Sequence, residues 1–335
     1  MDWSKGFSSR YYATVVDPTT WRDIADFDIT GGTISVSEDN LRTTADLDCV
    51  NFDRSYEYWV RVYLDARQDD DAFHGALFTG LASSPSVSLD GNYITNNIQC
   101  YSVLKPLEDM LLPRGWYALA NSDCIYLLNS LLSATPAPKS IEIDSMALDN
   151  SVIAENGETY LSMLEKILYA MDLRLTISGD GTITVSEPAD YISSSFDAFE
   201  NDCLETSVTI DNDWYSCPNV FRAISGDYST EARDENEDSM LSVPVRGREI
   251  WMEESVEYLY EGESLSEYAY RRLSEEQNAS YQISYNRRYD PNVNVSDLVR
   301  IHYPEQNIDG TFYILSQSIN LGHNATVSEV AYRHE

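Results

Sequence analysis

Lysine is nearly missing from these 335 residues: Lys5, Lys105, Lys139 and Lys166 are the only four. Lysine and arginine together number 22 against 56 aspartates and glutamates, a formal net charge of −34. A surface of that sign repels phosphate backbones, which argues against sequence-specific nucleic-acid binding. It disfavours an anionic membrane surface for the same reason. Long apolar runs are missing as well. No window approaches the ~20 residues a membrane-spanning helix needs, and MDWSKGFSSRYY at the start has no apolar core of a signal peptide. No membrane insertion by this chain alone is expected.

The five cysteines (Cys49, Cys100, Cys124, Cys203 and Cys217) are odd in number and widely spaced, with no CxxC. That pattern fits neither a disulfide framework nor a zinc site and predicts reduced, core-packed thiols. The four histidines, His74, His302, His323 and His334, include no pair at metal-binding i, i+4 spacing. HExxH, GxSxG, P-loop and GxGxxG patterns are all missing. Asp69-Asp70-Asp71 lacks the frame of a calcium loop and reads as a solvated tip between strands. The sequons at Asn278, Asn294 and Asn324 have no secretory context. No catalytic, cofactor-binding or metal-binding residue is therefore assigned, no cofactor is implied, and the chain does not read as an enzyme.

What is present is strand-forming. The composition is 43% hydrophobic with 24 tyrosines, and Val, Ile and Thr are frequent, which favours sheets. Residues 58–64 alternate, with Tyr58, Val60, Val62 and Leu64 on one face and Trp59, Arg61 and Tyr63 on the other, so this strand meets two different environments. Residues 31–37 and 43–50 precede it, separated by the turn-like 38–40. Residues 76–82, 85–91 and 93–104 follow, a spacing typical of an antiparallel barrel or sandwich.

The pattern changes near Pro106. A helix is predicted over 123–132 with Asp123 as N-cap, and a second over 158–172 with Leu161, Leu164, Leu168 and Met171 on its core face. A tight hairpin follows, turning at Gly179-Asp180-Gly181 between Leu175/Ile177 and Ile183/Val185. The last third returns to strands at 207–211, 220–225, 281–289, 297–303, 310–321 and 326–333. Asp309-Gly310 marks a turn, and a helix over 265–276 opens on a Ser264/Glu267 capping box. Residues 226–240 are polar and acidic without apolar period and read as an exposed, mobile loop.

The fold class expected is mainly β with an α+β insert. Residues 1–105 would form a first barrel, 106–195 the insert, and 196–335 a second barrel with one helix. This order of parts resembles the baseplate or tail-tip hub proteins of tailed bacteriophages, the late-control-protein family, and the hub part of type VI secretion spikes. GGTISVSEDNLRTTADLDCV, YWVRVYLDAR, FHGALFTGLASSPSVS and NIQCYSVLKPLEDM resemble the first hub barrel. ETYLSMLEKILYAMDLRLTISGDGTITVSEP resembles the helix-hairpin insert. SLSEYAYRRLSEEQ and DPNVNVSDLVRIHYPEQNIDGTFYILSQSINL resemble the second barrel. There Pro291, Val295, Asp297, Val299, Gly310 and Tyr313 occupy comparable places, but Ser296 stands where the family commonly has glycine.

The resemblance implies tail-tube-like barrels and a homotrimer whose two barrels per subunit make a pseudo-sixfold ring. Such a ring adapts a sixfold tail tube to a threefold spike or fibre and forms part of the DNA exit channel. The implied partners are copies of the chain itself, the tail tube or distal tail protein, a spike or fibre protein and the tape-measure protein. The implied location is the virion's tail tip or baseplate, after synthesis in the host cytoplasm. The charge balance adds the expectation of a negatively charged inner wall that does not capture exiting DNA. The alternative is a β-rich carbohydrate-binding or adhesive protein of a phage or bacterium, which predicts a monomer with an exposed aromatic platform.

Overall fold

The computed structural model describes every residue except 4, 38–42, 51, 53–55, 91–92, 145, 149–150, 188–191, 198–203, 257–258, 260–261, 323–325 and 335. Strands dominate, as the β-branched and aromatic composition dictates. The first six are β1 (Ser8–Val16), β2 (Asp23–Ser37), β3 (Thr43–Val50), β4 (Tyr58–Gln68), β5 (Asp71–Asp90) and β6 (Tyr93–Ser102). They pair in the order β1-β4-β5-β6-β3-β2, and β2 returns to pair with β1, so the sheet closes on itself. Ala13, Ile34, Leu47, Val60, Val62, Leu64, Phe78 and Ile98 fill its interior. A side chain of this size contributes roughly 1.5–3 kcal/mol on full burial.

The α+β insert follows: α1 (Lys105–Asp109), β7 (Tyr117–Ala118), α2 (Cys124–Leu132), β8 (Lys139–Glu142), β9 (Val152–Ile153), α3 (Tyr160–Ala170), β10 (Arg174–Ile177) and β11 (Ile183–Ser186). Asp123 caps α2 by accepting from the backbone N–H groups of Ile125 and Tyr126. Thr159 and Ser162 form a capping box on α3, whose Leu161, Met163, Leu164, Ile167 and Leu168 are buried. The hairpin β10–β11 adds β8 in parallel. The insert's core also takes in Val16 and Trp59 from the first barrel. The two environments of β4 are thereby explained: its valines face the barrel interior and Trp59 faces the insert.

The remaining elements are β12 (Ile192–Asp197), β13 (Leu204–Asn212), β14 (Val220–Ser225), β15 (Tyr228–Arg233), α4 (Val243–Arg246), β16 (Trp251–Ser255), α5 (Leu265–Ala279), β17 (Tyr281–Arg288), β18 (Leu298–Tyr303), β19 (Ile308–Asn320) and β20 (Thr326–Arg333). Strands β12-β18-β19-β20-β17-β13 wrap a second core of Ile283, Tyr285, Val299, Ile301, Phe312 and Ile314. Strands β14, β15 and β16 form a separate small sheet, and α5 packs Tyr268, Ala269 and Leu273 against its Phe221 and Ala223.

Three readings of the sequence change. Residues 228–233, taken as part of a loop, form β15. Only Ala232 of that strand is buried, so no apolar period announces it. The turn before β19 lies at Pro304–Asn307, with Asn307 at φ 55°, and Asp309-Gly310 is already paired with His302 and Ile301. Segment 76–82 and the described part of 85–91, to Asp90, are one continuous strand, β5. The turn expected at 38–40 lies outside the described residues.

Candidate functional site: a hydroxyl-lined sheet face

One pairing joins the two halves of the chain. Ser316–Asn320 of β19 pair antiparallel with Thr33–Ser37 of β2. A register shift between Ile314 and Ser316 sits just before the join. A bulge of this kind resets which side chains point inward. Ile314 enters the second core and Ile319 the first, so β19 serves both. The outcome is a single sheet running β6-β3-β2-β19-β20-β17-β13.

The outward positions along this sheet carry small hydroxyl and amide side chains. Ser35 and Ser37 come from β2, Ser316 and Ser318 from β19, Ser328 from β20, Ser284 and Asn286 from β17, and Ser207 and Thr209 from β13. Together they line a shallow groove of about 420 Å³. None of the four lysines lies on any of these strands. The charged groups outward on this sheet include Asp46 and Asp48 on β3, Asp211 and Glu205 on β13, the Glu205 carboxylate accepting from the Asn286 amide at 3.0 Å, and Arg288 on β17. A face of this chemistry hydrogen-bonds water and holds no fixed cluster of cations for an anion to bind.

Beneath the groove, the inward side of the same strands holds a buried polar network. Arg287 on β17 donates Nε to Glu329 Oε2 at 2.9 Å and Nη2 to Oε1 at 2.6 Å. Gln317 Nε2 donates to Glu329 Oε1 at 2.7 Å and to the Val293 carbonyl at 3.0 Å. Burial and the nearby Glu329 charge hold the Tyr285 hydroxyl far above its ordinary pKa, so it stays neutral. The network ties β17, β19 and β20, the strands that present the face, together through their side chains.

The residues singled out in the sequence lie apart from one another. His74 is exposed and bonds Asp65 at 2.7 Å. His302 lies 3.6 Å from Asp309, His334 is exposed at the end of β20, and His323 lies outside the described residues. Asp69, Asp70 and Asp71 form the exposed β4–β5 turn, with Asp69 at φ 50°. Among the described residues, no three His, Cys, Asp or Glu side chains come together as metal ligands. Cys49, Cys100, Cys124 and Cys217 are buried free thiols; Cys203 is outside the described residues. Burial pushes Cys49 up to about 12 and Cys124 up to about 11, so both stay protonated at neutral pH. Tyr215, in the turn before β14, and Tyr228 on the small sheet are exposed, while the Arg222 guanidinium sits 4.7 Å from the centre of the Trp251 ring.

The insert is anchored to the first barrel through its hairpin turn. Arg61 donates Nε to Thr79 Oγ1, Nη1 to Asp23 and Nη2 to the Asp180 carbonyl. Trp21 Nε1 donates to the same carbonyl at 2.9 Å, and Thr79 Oγ1 to the Gly179 carbonyl at 2.8 Å. Arg174 reaches from the insert to the second barrel, donating to the Val295 carbonyl and Asp297. The contacts that join the insert to the two barrels carry no local signal, because their partners are 100 or more positions apart, as in Thr79 and Gly179.

This arrangement, a closed barrel continuous with a second β-rich unit and a helix-hairpin module in contact with both, is a fold that the chain shares with solved phage tail and type VI secretion proteins. The chain is similar over 99% of its length, and 97% of the other chain, to the tail protein from Neisseria meningitidis MC58, at a TM-score of 0.73 and 13% identity. It is similar over 97%, and 98% of the other chain, to the 43 kDa tail protein of prophage MuSo2 from Shewanella oneidensis, at 0.69 and 14%. The E. coli c3393 protein, a component of the type VI secretion system, is matched over 92% of this chain and 74% of its own, at 0.54 and 7%. No family profile and no curated protein matches the sequence.

Proposed function

We propose that this chain is the structural hub of a phage-type tail tip or baseplate, located in the virion. Three copies close a ring in which two barrels per copy give pseudo-sixfold symmetry for the tail tube and threefold symmetry for a spike or fibre. A division into a first barrel (1–105), an insert (106–195) and a second barrel (196–335) underlies that symmetry, with the last boundary moved forward to Ile192 because β12 pairs with β18. The sheet face that runs from β6 to β13 lines the opening. The β2–β19 pairing carries this reading, because it turns two barrels into one continuous wall with serines, threonines and asparagines outward.

The acid-lined channel suggested by the charge balance takes a modified form in this reading. The wall is mostly uncharged, and its acids, Asp46, Asp48, Glu205 and Asp211, flank the hydroxyl field. Passing DNA then meets few cations to bind it, Arg288 of β17 among them, and no dense carboxylate field along the wall. The large negative charge belongs to the outside, where it opposes non-specific adhesion.

Light scattering on the purified chain tests the ring. The expected mass is three times the 38.0 kDa of one subunit; a monomer at every concentration would remove the proposal.

A further inference from the structure

Strand β13 ends the wall, and its outer edge has no partner among the described residues: β17 is its sole neighbour. It is nine residues long, and Glu205–Ser207 and Thr209–Asn212 are exposed. Ile210, a large apolar side chain, is 40% exposed. Natural edges are blunted by proline, lysine, bulges or short length; β13 has a bulge only at its start, between Leu204 and Val208. The middle of β13, Thr206-Ser207-Val208-Thr209-Ile210, has no proline and no charge. The Glu205 carbonyl accepts from the Tyr303 hydroxyl at 2.9 Å, and beyond it the backbone groups that the uncharged middle of β13 turns away from β17 have no strand beside them among the described residues, which makes that stretch a template for another strand.

The same chain carries a strand pair that runs past its own barrel. Pairing of β5 with β4 stops at Ala82, opposite Tyr58. Pairing of β6 with β3 stops at Asn96, opposite Cys49. The β5–β6 pairing continues from there to Asp90 opposite Tyr93. Ser86–Asp90 and Tyr93–Thr95 are thus held as an arm with no third strand on either side among the described residues. A two-stranded ribbon alone is only marginally stable in water.

We propose that the outer edge of β13 pairs with the β5–β6 arm of a second copy of this chain, an assignment that rests on the ring reading above. Acceptor edge and donor arm are different surfaces of one molecule, the head-to-tail arrangement that closes into a ring. Two chains of net charge −34 repel over most of their surfaces. The uncharged middle of β13 is a place where a copy can approach without juxtaposing carboxylates. The pairing also continues the wall: Ser207 and Thr209 form the rim of the hydroxyl face, and a further strand extends that face across the boundary between copies.

Hydrogen exchange with residue-level readout on the full chain, at concentrations above and below assembly, tests this. In the assembled state, alternate amides in 205–212 and in the arm slow together by about a hundredfold relative to the dilute subunit. Rapid exchange along β13 in an assembled ring overturns the pairing and leaves the ring reading standing. Slowing of β13 without the arm overturns the arm as donor. A chain that never assembles overturns both. As a second arm, Thr209→Pro and Ile210→Pro are compared. One of the two removes an outward N–H and leaves the β17 ladder intact; that variant keeps the subunit's fold and weakens assembly at least ~tenfold. Unchanged assembly by both folded variants contradicts the proposal.

Discussion

Arg287 and Glu329 form a two-bond ion pair with side chains 1% and 0% exposed, directly under the hydroxyl-lined face. Gln317 satisfies a further lone pair of the carboxylate, and Arg287 Nη1 donates to the Arg288 carbonyl. Breaking such a pair from one side leaves an uncompensated buried charge, which typically costs ~3–5 kcal/mol. Glu329→Ala is therefore expected to lower unfolding stability by about that amount in urea titration. Replacing both partners by apolar residues, Arg287→Met with Glu329→Leu, is expected to recover most of the loss. Equal losses in the single and double variants would show that the pair itself stabilises the fold.

The hairpin turn sits so closely on β5 that a Cβ at Gly179 would overlap the Ala76 carbonyl oxygen. Backbone on both sides leaves little room to yield. Gly179→Ala is expected to cost ~1–3 kcal/mol by overpacking and to expose the insert to limited proteolysis while the first barrel remains protected. Wild-type protease resistance in this variant would mean that the turn is not the insert's anchor.

Ser296 holds left-handed backbone, with φ at 68°. Left-handed backbone costs a non-glycine residue roughly 1–2 kcal/mol, partly offset by the greater unfolded-state freedom of glycine, about 0.5–1 kcal/mol. Ser296→Gly is expected to raise stability by up to ~1 kcal/mol, seen as a higher urea midpoint with an unchanged slope.

Glu267 closes the capping box of α5: its carboxylate accepts from the Ser264 hydroxyl at 2.7 Å and the Ser264 backbone N–H at 2.8 Å. The hydroxyl bond first, and the backbone bond second, hold its pKa below the ordinary 4.5. A depressed folded pKa stabilises above the unfolded value, and that gain is lost as pH falls through the folded value. The thermal midpoint of wild type should exceed that of Glu267→Ala at pH 7, and the gap should narrow below about pH 4.5. A gap independent of pH would mean that the ionised carboxylate is not the stabilising species.

The legible parts of the fold are those whose signal is local. Helix α5 shows its capping box and its Leu265, Ala269 and Leu273 face in the sequence. The β17 alternation of Ile283, Tyr285 and Arg287 marks the buried side correctly, although nothing local says that Arg287 meets Glu329 forty-two positions on. Strand β15 stays hidden because its sheet has a helix on one face and solvent on the other, with most of its side chains outside the core. The candidate site was not legible. Serines at 35, 37, 316, 318 and 328 read as ordinary solvated positions on separate strands, and only the β2–β19 pairing between distant parts of the chain makes them one surface.

The central claim is that this surface faces the opening of a closed ring, and labelled electron micrographs address it most directly. A nanogold particle coupled to Ser318→Cys, in a Cys203→Ser background, marks the middle of the hydroxyl face. Density at the centre of threefold rings is the expected result. Gold on the outer circumference, or unassembled single subunits, would contradict it.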